Sequence, residues 1–373
     1  MIGLGTALRL EFSGPDRFRD AAAAWRAIAA RATVNDEVAV PGSGLIAFGA
    51  FTFSARSAES SVLIVPSQVI GRRHGEAWMT HTGVGQPPES PLPAQRTPAP
   101  GDPVEFRPGE LDPDGYLATV GRALERIERG DVSKVVIARD MIGHLPSNAD
   151  TAAALLVLAG GYPDCWTFAV DDFLGSSPET LVGVTRGTVT ARVLAGSAAR
   201  GVDAATDQQA SVDLATSAKD QDEHQYAVQS VLAALRPHSP GVTASELPFT
   251  LRLPNLWHLA SDVEGVLADG SSSLDLIGAL HPTAAVAGTE TDAAIALIEE
   301  LEPFDRGRYA GPVGWIGADG DGEWAIALRC AQIGSDDVAR AYAGAGIVDE
   351  SVAERELAET SLKFRPIIEA FTA

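Results

Sequence analysis

The chain has 373 residues, 45% hydrophobic and 21% charged, a globular balance with room for a large buried core. Its 28 basic and 50 acidic residues leave a net charge of −22. This argues against a nucleic-acid partner, because phosphate binding needs clustered Lys and Arg. A small anionic substrate would need a locally positive pocket or a metal.

The first hundred residues read as strands and turns: Val38–Pro41, Gly44–Phe53 and Ser61–Val65. Gln86–Val104 is rich in Pro and reads as an exposed connection. From Asp112 the texture changes. Tyr116–Arg129 has helical periodicity and ends in Gly130, and the strand Lys134–Ala138 follows. Next come a helix around Thr151–Leu158, a strand Trp166–Val170, and the hairpin Thr180–Val184 with Thr188–Val193. One long helix is predicted over Ala205–Arg236, then helices around Leu274–Leu280 and Ala293–Leu301. Strands near Gly311–Ile316, Glu323–Ile333 and Val338–Gly344 precede a last helix from Ser351 to Ala370. Strands in meanders with helices between them predict α+β with antiparallel sheets, not a doubly wound parallel sheet.

Cys165 and Cys330 fit neither a disulfide framework nor a zinc site. Their apolar surroundings predict buried free thiols and a reducing cytoplasm. The first twelve residues lack a basic region and a sustained apolar run, and no apolar run reaches membrane-spanning length. The expectation is a cytoplasmic protein without membrane contact.

Some polar residues could carry chemistry. Glu356, Glu359 and Lys363 fall at i, i+3 and i+7, and so share one helix face. Asp220 and Glu223 repeat the i, i+3 spacing on the long helix. By spacing alone a solvated stripe is the commoner outcome. The sharper reading is two helices whose carboxylates hold one Mg²⁺, an ion that prefers oxygen ligands and keeps some waters. Leu194–Ser197 and Ala343–Gly346 are glycine-containing strand ends. They form no nucleotide loop but allow backbone N–H groups to approach a carboxylate. Lys134, Glu179 and His258 taken by themselves read more often as structural: an edge lysine, a loop glutamate and a satisfied core histidine.

The order of motifs narrows this. Lys134-Val-Val-Ile-Ala-Arg139, Gly175-Ser-Ser-Pro-Glu179, Leu194-Ala-Gly-Ser197, Lys219-Asp-x-x-Glu-His224 and His258-Leu-Ala-Ser261 come first. Then come Leu280-His-Pro-Thr-Ala-Ala285, Arg306-Gly-Arg-Tyr309, Ala327-Leu-Arg329, Ala343-Gly-Ala-Gly-Ile347 and Glu354-Arg-Glu-x-x-Glu-Thr360 with Lys363. Together they resemble the chorismate-utilising enzymes: isochorismate, salicylate, anthranilate and aminodeoxychorismate synthases. The resemblance covers about Asp112–Phe371, with residues 1–110 as the variable N-terminal part of the same single domain. It implies two large antiparallel sheets packed face to face, surrounded by helices, with the site in the cleft between them.

Roles follow residue by residue from that resemblance. Glu223 and Glu359 match Mg²⁺ ligands, with Glu356 and Asp220 beside them through water. Arg329 and Tyr309, with backbone N–H near Gly344, match the holders of the enolpyruvyl carboxylate. Lys363 matches a cation near the metal end. Gly196 and Ser197 match a loop touching the ring carboxylate, and His258 a residue near the ring. Lys134 matches the general base of the water-using members, and Glu179 the general acid. Lys134 must be neutral to act and Glu179 protonated. Burial favours both, which predicts a dry pocket.

Ammonia-using relatives usually carry Gln where Lys134 stands and need a glutaminase partner; none is expected here. Salicylate synthases usually carry Thr where Ala285 stands and go on to eliminate pyruvate. The resemblance therefore implies an isochorismate synthase, with salicylate synthase as the alternative. It implies a monomer whose product feeds menaquinone or siderophore synthesis. The family often has Pro and Gly-Gly where this chain reads Ala284 and Ala287-Gly288, a departure of loop stiffness.

Overall fold

Two large antiparallel sheets organise the computed structural model, which describes residues 1–73, 75–85, 97–98, 101–252 and 256–372. The ten-stranded sheet runs Thr243–Ala244, Leu256–Val266, Thr188–Ala199, Thr180–Thr185, Gly322–Ile326, Pro312–Gly317, Ile46–Ala50, Ser61–Val65, Leu8–Phe12, with Phe249–Arg252 added on Leu256–Val266. The seven-stranded sheet runs Gly288–Thr289, Lys134–His144, Val338–Ile347, Cys330–Ile333, Phe173–Ser177, Trp166–Val170, with Phe106–Pro108 added on Lys134–His144. A smaller sheet joins Ile2–Leu4, Gln68–Arg73 and Glu76–His81.

The Lys134–His144 strand reads as a continuous apolar run because both of its faces are covered; Val135 through Asp140 are all buried. Helices Pro113–Glu128, Thr291–Leu301 and Ala353–Thr372 pack around this strand and its partner Val338–Ile347. One core cluster joins Val182, Val313 and Trp324 of the ten-stranded sheet to Val135, Ile137 and Phe173 of the seven-stranded sheet. The same cluster takes in Phe18, Trp25 and Val62, so the first 110 residues share the core. Truncating a fully buried ring such as Trp324 to alanine would cost on the order of 3–5 kcal/mol.

Several elements differ from the sequence expectation. Arg17–Ala29 is a helix, burying Phe18, Ala21, Ala22 and Trp25 on one face. Val38–Pro41 forms no strand; instead the Val38 and Ala39 N–H groups donate to Asp36 Oδ1 at 3.0 and 3.1 Å. The long helix is two helices, Ala204–Thr216 and Ala218–Leu235. Ser217 divides them by leaving helical geometry and accepting the Asp220 N–H at 3.2 Å. Glu323–Ile333 also breaks: Gly322–Ile326 belongs to the ten-stranded sheet and Cys330–Ile333 to the seven-stranded sheet. Residues 86–96, 99 and 100 of the Pro-rich segment lie outside the described residues. Val104 at its end is buried, and its N–H donates to Phe371 O at 3.0 Å. Cys330 is a buried free thiol as expected, but Cys165 is only half-buried. Among the described residues, no helix is long and apolar enough to cross a membrane.

Candidate active site

The paired strands Lys134–His144 and Val338–Ile347 form the floor, with Ala138 opposite Gly344 and Val136 opposite Gly346. Lys134 opens its strand and lies over Gly346, where a Cβ would sit 3.0 Å from Lys134 Cε. From there Lys134 Nζ donates to Glu223 Oε1 at 2.8 Å. Two residues along the facing strand, Gly344 O accepts from Lys363 Nζ at 2.8 Å, and Lys363 also pairs with Glu359 at 2.6 Å. Residues 344–346 thus carry two lysines above them, each facing a glutamate from a different helix.

The charges around Lys363 are tuned by burial. Burial holds its ammonium below the usual lysine range, against the pull of Glu359. Burial opposes ionisation of Glu359, but Lys363 holds that carboxyl below its ordinary range. One turn earlier, burial pushes Glu356 up, and the charge of Glu359 adds to the push.

Arg329 and Glu179 come from the crossing between the two sheets. Arg329 has φ +49°, a left-handed backbone costing about 1–3 kcal/mol in a non-glycine residue. Its carbonyl accepts from Ser176 N at 3.1 Å, which locks the crossing. Among the described residues its guanidinium makes no hydrogen bond or ion pair. After burial, the ionisable groups that act on it most strongly are Tyr309, Glu359, Cys165 and Glu179. Glu179 is set by its backbone: its N–H donates to Ser177 Oγ at 3.2 Å, and its carbonyl accepts from Ile326 N at 3.0 Å. Burial pushes its carboxyl up to about 7, against Arg329, Lys363 and Lys134. Among the described residues that carboxyl also has no hydrogen-bond or ion-pair partner.

Tyr309 is buried and stacks on Tyr342 with ring centroids 5.2 Å apart. Burial pushes its phenol up, so it is a neutral donor at pH 7. Its hydroxyl closes over Gly344: a Cβ there would lie 3.0 Å from Tyr309 Oη and 3.1 Å from Ile137 O. Glycine keeps that corner open.

The other wall is an irregular pairing between Thr188–Ala199 and Leu256–Val266. The register shifts between Leu194 and Ser197, where Gly196 takes φ +78°, and Ser197 then pairs with His258. A Cβ on Gly196 would lie 3.3 Å from Asp220 Cβ, so the bulge touches the helix that carries Glu223. Burial pushes His258 down to about 4, with Lys363 and Arg329 acting the same way, so it is neutral at pH 7. Ala285 lies in the turn before Gly288–Thr289, whose residues pair with Val135 and Lys134. In that turn Thr283 O accepts the N–H groups of Val286 and Ala287.

Two features depart from or add to the sequence reading. The site is not uniformly dry: Tyr309 is buried, but Arg329 is half-buried. Ser197 is exposed, and the Lys134 and Glu223 side chains keep 20% and 32% of their exposure. The structure adds the buried His224: its ring nitrogens lie 3.0 Å from Ala195 O and 2.8 Å from Ser261 Oγ, tying the Glu223 helix to the bulge. Its place beside Glu223 in the Glu-His pair was the available signal. Among the described residues, no group of three or more His, Cys, Asp or Glu side chains forms a ready metal cage.

The chain matches the family described as "Chorismate binding enzyme" over residues 1–372. It is 41% identical over 271 residues to the isochorismate synthase DhbC of Bacillus subtilis, spanning 69% of this chain and 68% of that protein. It is 37% identical over 344 residues to the putative isochorismate synthase MenF of Mycobacterium tuberculosis, spanning 88% and 87%. Its fold superposes on the crystal structure of the putative 2,3-dihydroxybenzoate-specific isochorismate synthase DhbC from Bacillus anthracis with a TM-score of 0.78 at 31% identity, covering 99% of this chain and 92% of that one. With the site geometry, these matches show that the chain is an enzyme of the chorismate binding family.

Proposed function

We propose that this enzyme is an isochorismate synthase, which interconverts chorismate and isochorismate by adding water at C2 and releasing the C4 hydroxyl. Glu179 carries the reading. It is a half-buried carboxyl raised to about 7, unpartnered among the described residues and in the field of Lys134, Arg329 and Lys363. A group so tuned is protonated often enough near neutrality to act as an acid.

In this mechanism Lys134 takes a proton from water as the oxygen attacks C2. The ring double bonds shift, and Glu179 gives its proton to the departing C4 oxygen. One water enters and one leaves, so the product is an isomer. The uncommitted Arg329 guanidinium, the neutral Tyr309 hydroxyl and backbone N–H near Gly344 bind the enolpyruvyl carboxylate, which suits the bidentate fork of arginine. Gly196, Ser197 and neutral His258 line the ring end, with Lys363 as a fixed cation.

The donor set suits Mg²⁺: every group is an oxygen, and the ion commonly takes only one or two protein carboxylates and keeps waters. Glu223 and Glu359 would hold it, with Asp220 and Glu356 beside them through water. Burial is what mainly pushes Glu356 up, and the neighbouring Glu359 charge adds to the push, a charge that a cation would offset. When bound, the ion supplies a counter-charge for the ring carboxylate. Water as nucleophile requires no glutaminase subunit, and one chain carries every proposed residue.

The test is purified protein with chorismate and Mg²⁺, products resolved by chromatography. Isochorismate without pyruvate is expected. Salicylate with pyruvate, or anthranilate on adding an ammonium salt, as the main product would overturn the reading.

A further inference from the structure

We infer that the buried Arg306–Glu302 pair is a positioning element that holds the Lys134 strand against the Ala285 turn, so that loosening it slows turnover more than it weakens substrate binding. The catalytic part of this inference rests on the isochorismate synthase reading of the site.

The pair is almost sealed, with side chains 3% and 1% exposed. Arg306 Nε donates to Glu302 Oε2 at 2.8 Å and Nη2 to Glu302 Oε1 at 2.6 Å. The rest of the guanidinium faces backbone. Nη1 donates to Val286 O at 2.9 Å and Nη2 to Val136 O at 2.8 Å. Glu302 Oε1 accepts the Ala138 N–H at 2.7 Å.

These contacts replace a missing strand. On one edge the Lys134 strand pairs regularly with Val338–Ile347. On the other edge Lys134 and Val135 pair with Thr289 and Gly288, and Val136 N donates to Ala287 O at 2.9 Å. Beyond that point the ladder is interrupted until Phe106–Pro108 pairs with Met141–Gly143, and in the gap Val136 O and Ala138 N would be buried without partners. Arg306 and Glu302 satisfy both, so side chains complete the sheet edge.

The same guanidinium therefore holds a carbonyl two residues from Lys134 and a carbonyl one residue from Ala285. Arg306 also lies over the Tyr309 ring, 5.7 Å from its centroid, and its carbonyl accepts the Tyr309 N–H at 2.9 Å. An apolar pair could fill this volume with equal or better stability, since burying two charges carries a large desolvation penalty. What an apolar pair could not do is fix two carbonyls and an amide in one geometry. Lysine, with a single ammonium, could not span them either.

The test compares Arg306→Lys, Glu302→Asp and the double variant with wild type. Backbone amide exchange, steady-state kinetics with chorismate and Mg²⁺, and thermal melting are measured. Exchange should quicken by at least about tenfold at 134–138 and 285–288 and stay unchanged in the helix 353–372. For folded protein, kcat should fall by at least about tenfold while KM stays within about threefold. The double variant should fall little further than the worse single one, because the pair acts as a unit. Wild-type kcat despite faster local exchange would overturn the inference, as would a KM that rises as much as kcat falls. Unchanged local exchange would also overturn it. Glu302→Asp keeps both charges and shortens only the carboxylate arm, so it carries the same readings if Arg306→Lys does not fold. If neither folds, the pair belongs to the fold and the positioning role is wrong. A wild type that leaves chorismate unchanged would sink the proposed function alone, and the anchoring would still be read from exchange.

Discussion

Lys134 Nζ donates to Glu223 Oε1 at 2.8 Å, joining residues 89 positions apart in the chain. Lys363 makes the corresponding contact with Glu359. Each proposed metal ligand thus stands beside a lysine that the proposed chemistry also uses, which places base, metal end and substrate end in one small volume.

The metal proposal is tested at those glutamates. Chelation with EDTA should abolish turnover, and added Mg²⁺ should restore it. Glu359→Gln and Glu223→Gln should each need at least about tenfold more Mg²⁺ for half-maximal rate, because a neutral amide is a poor ligand for a hard cation. Full activity in EDTA contradicts the proposal.

The anion clamp is tested at Arg329. Arg329→Lys keeps the charge and loses the fork, so kcat/KM should drop at least about tenfold, on the order of 1.4 kcal/mol. An unchanged kcat/KM would remove Arg329 from the site.

Glu179 makes a prediction about stability. Its folded pKa, about 7, lies above the value of 4.5 for a free carboxyl. Between those values the folded state holds a proton that the unfolded state has lost, so stability falls as pH rises through this window. Above pH 7 the charged, half-buried carboxylate costs at most about 3 kcal/mol. Glu179→Gln should therefore melt higher than wild type at pH 8, with the gap closing below about pH 4.5. Equal melting temperatures at pH 8 would show that Glu179 is not held out of water. In activity the same variant should lose about 10²–10⁴-fold in kcat.

Gly344 tests the corner beneath Tyr309. A Cβ there meets the Tyr309 hydroxyl at 3.0 Å and a fixed carbonyl at 3.1 Å. Gly344→Ala should raise KM for chorismate by at least about tenfold, about 1.4 kcal/mol of lost binding. A wild-type KM would place the enolpyruvyl end elsewhere.

Much of this site was legible in the sequence because its residues sit at regular positions. Lys134 opens an apolar strand, and Glu356, Glu359 and Lys363 share a helix face, so local pattern and family resemblance agree. The unread parts depend on tertiary context. The helix Arg17–Ala29 hides its apolar face in small side chains, Ala21 to Ala24, which carry little periodic signal. The break at Ser217 lies between two polar helical stretches, and only the serine cap separates them. Arg329 sits in what reads as one strand, Glu323–Ile333. The chain turns there to change sheets, and sequence alone does not reveal a second sheet waiting to receive it. The Arg306–Glu302 pair spans helical spacing, but its backbone partners come from two distant segments.

The central claim is that water attacks C2 while the C4 hydroxyl leaves. Running the conversion in ¹⁸O-labelled water and weighing the product measures this directly. A single wild-type turnover should give isochorismate with one ¹⁸O at C2, and Lys134→Ala should form that labelled product about 10²–10⁴-fold more slowly at little-changed chorismate affinity. Unlabelled isochorismate would mean that the hydroxyl migrates within the substrate, and the assignment of Lys134 as the base that activates water would be wrong.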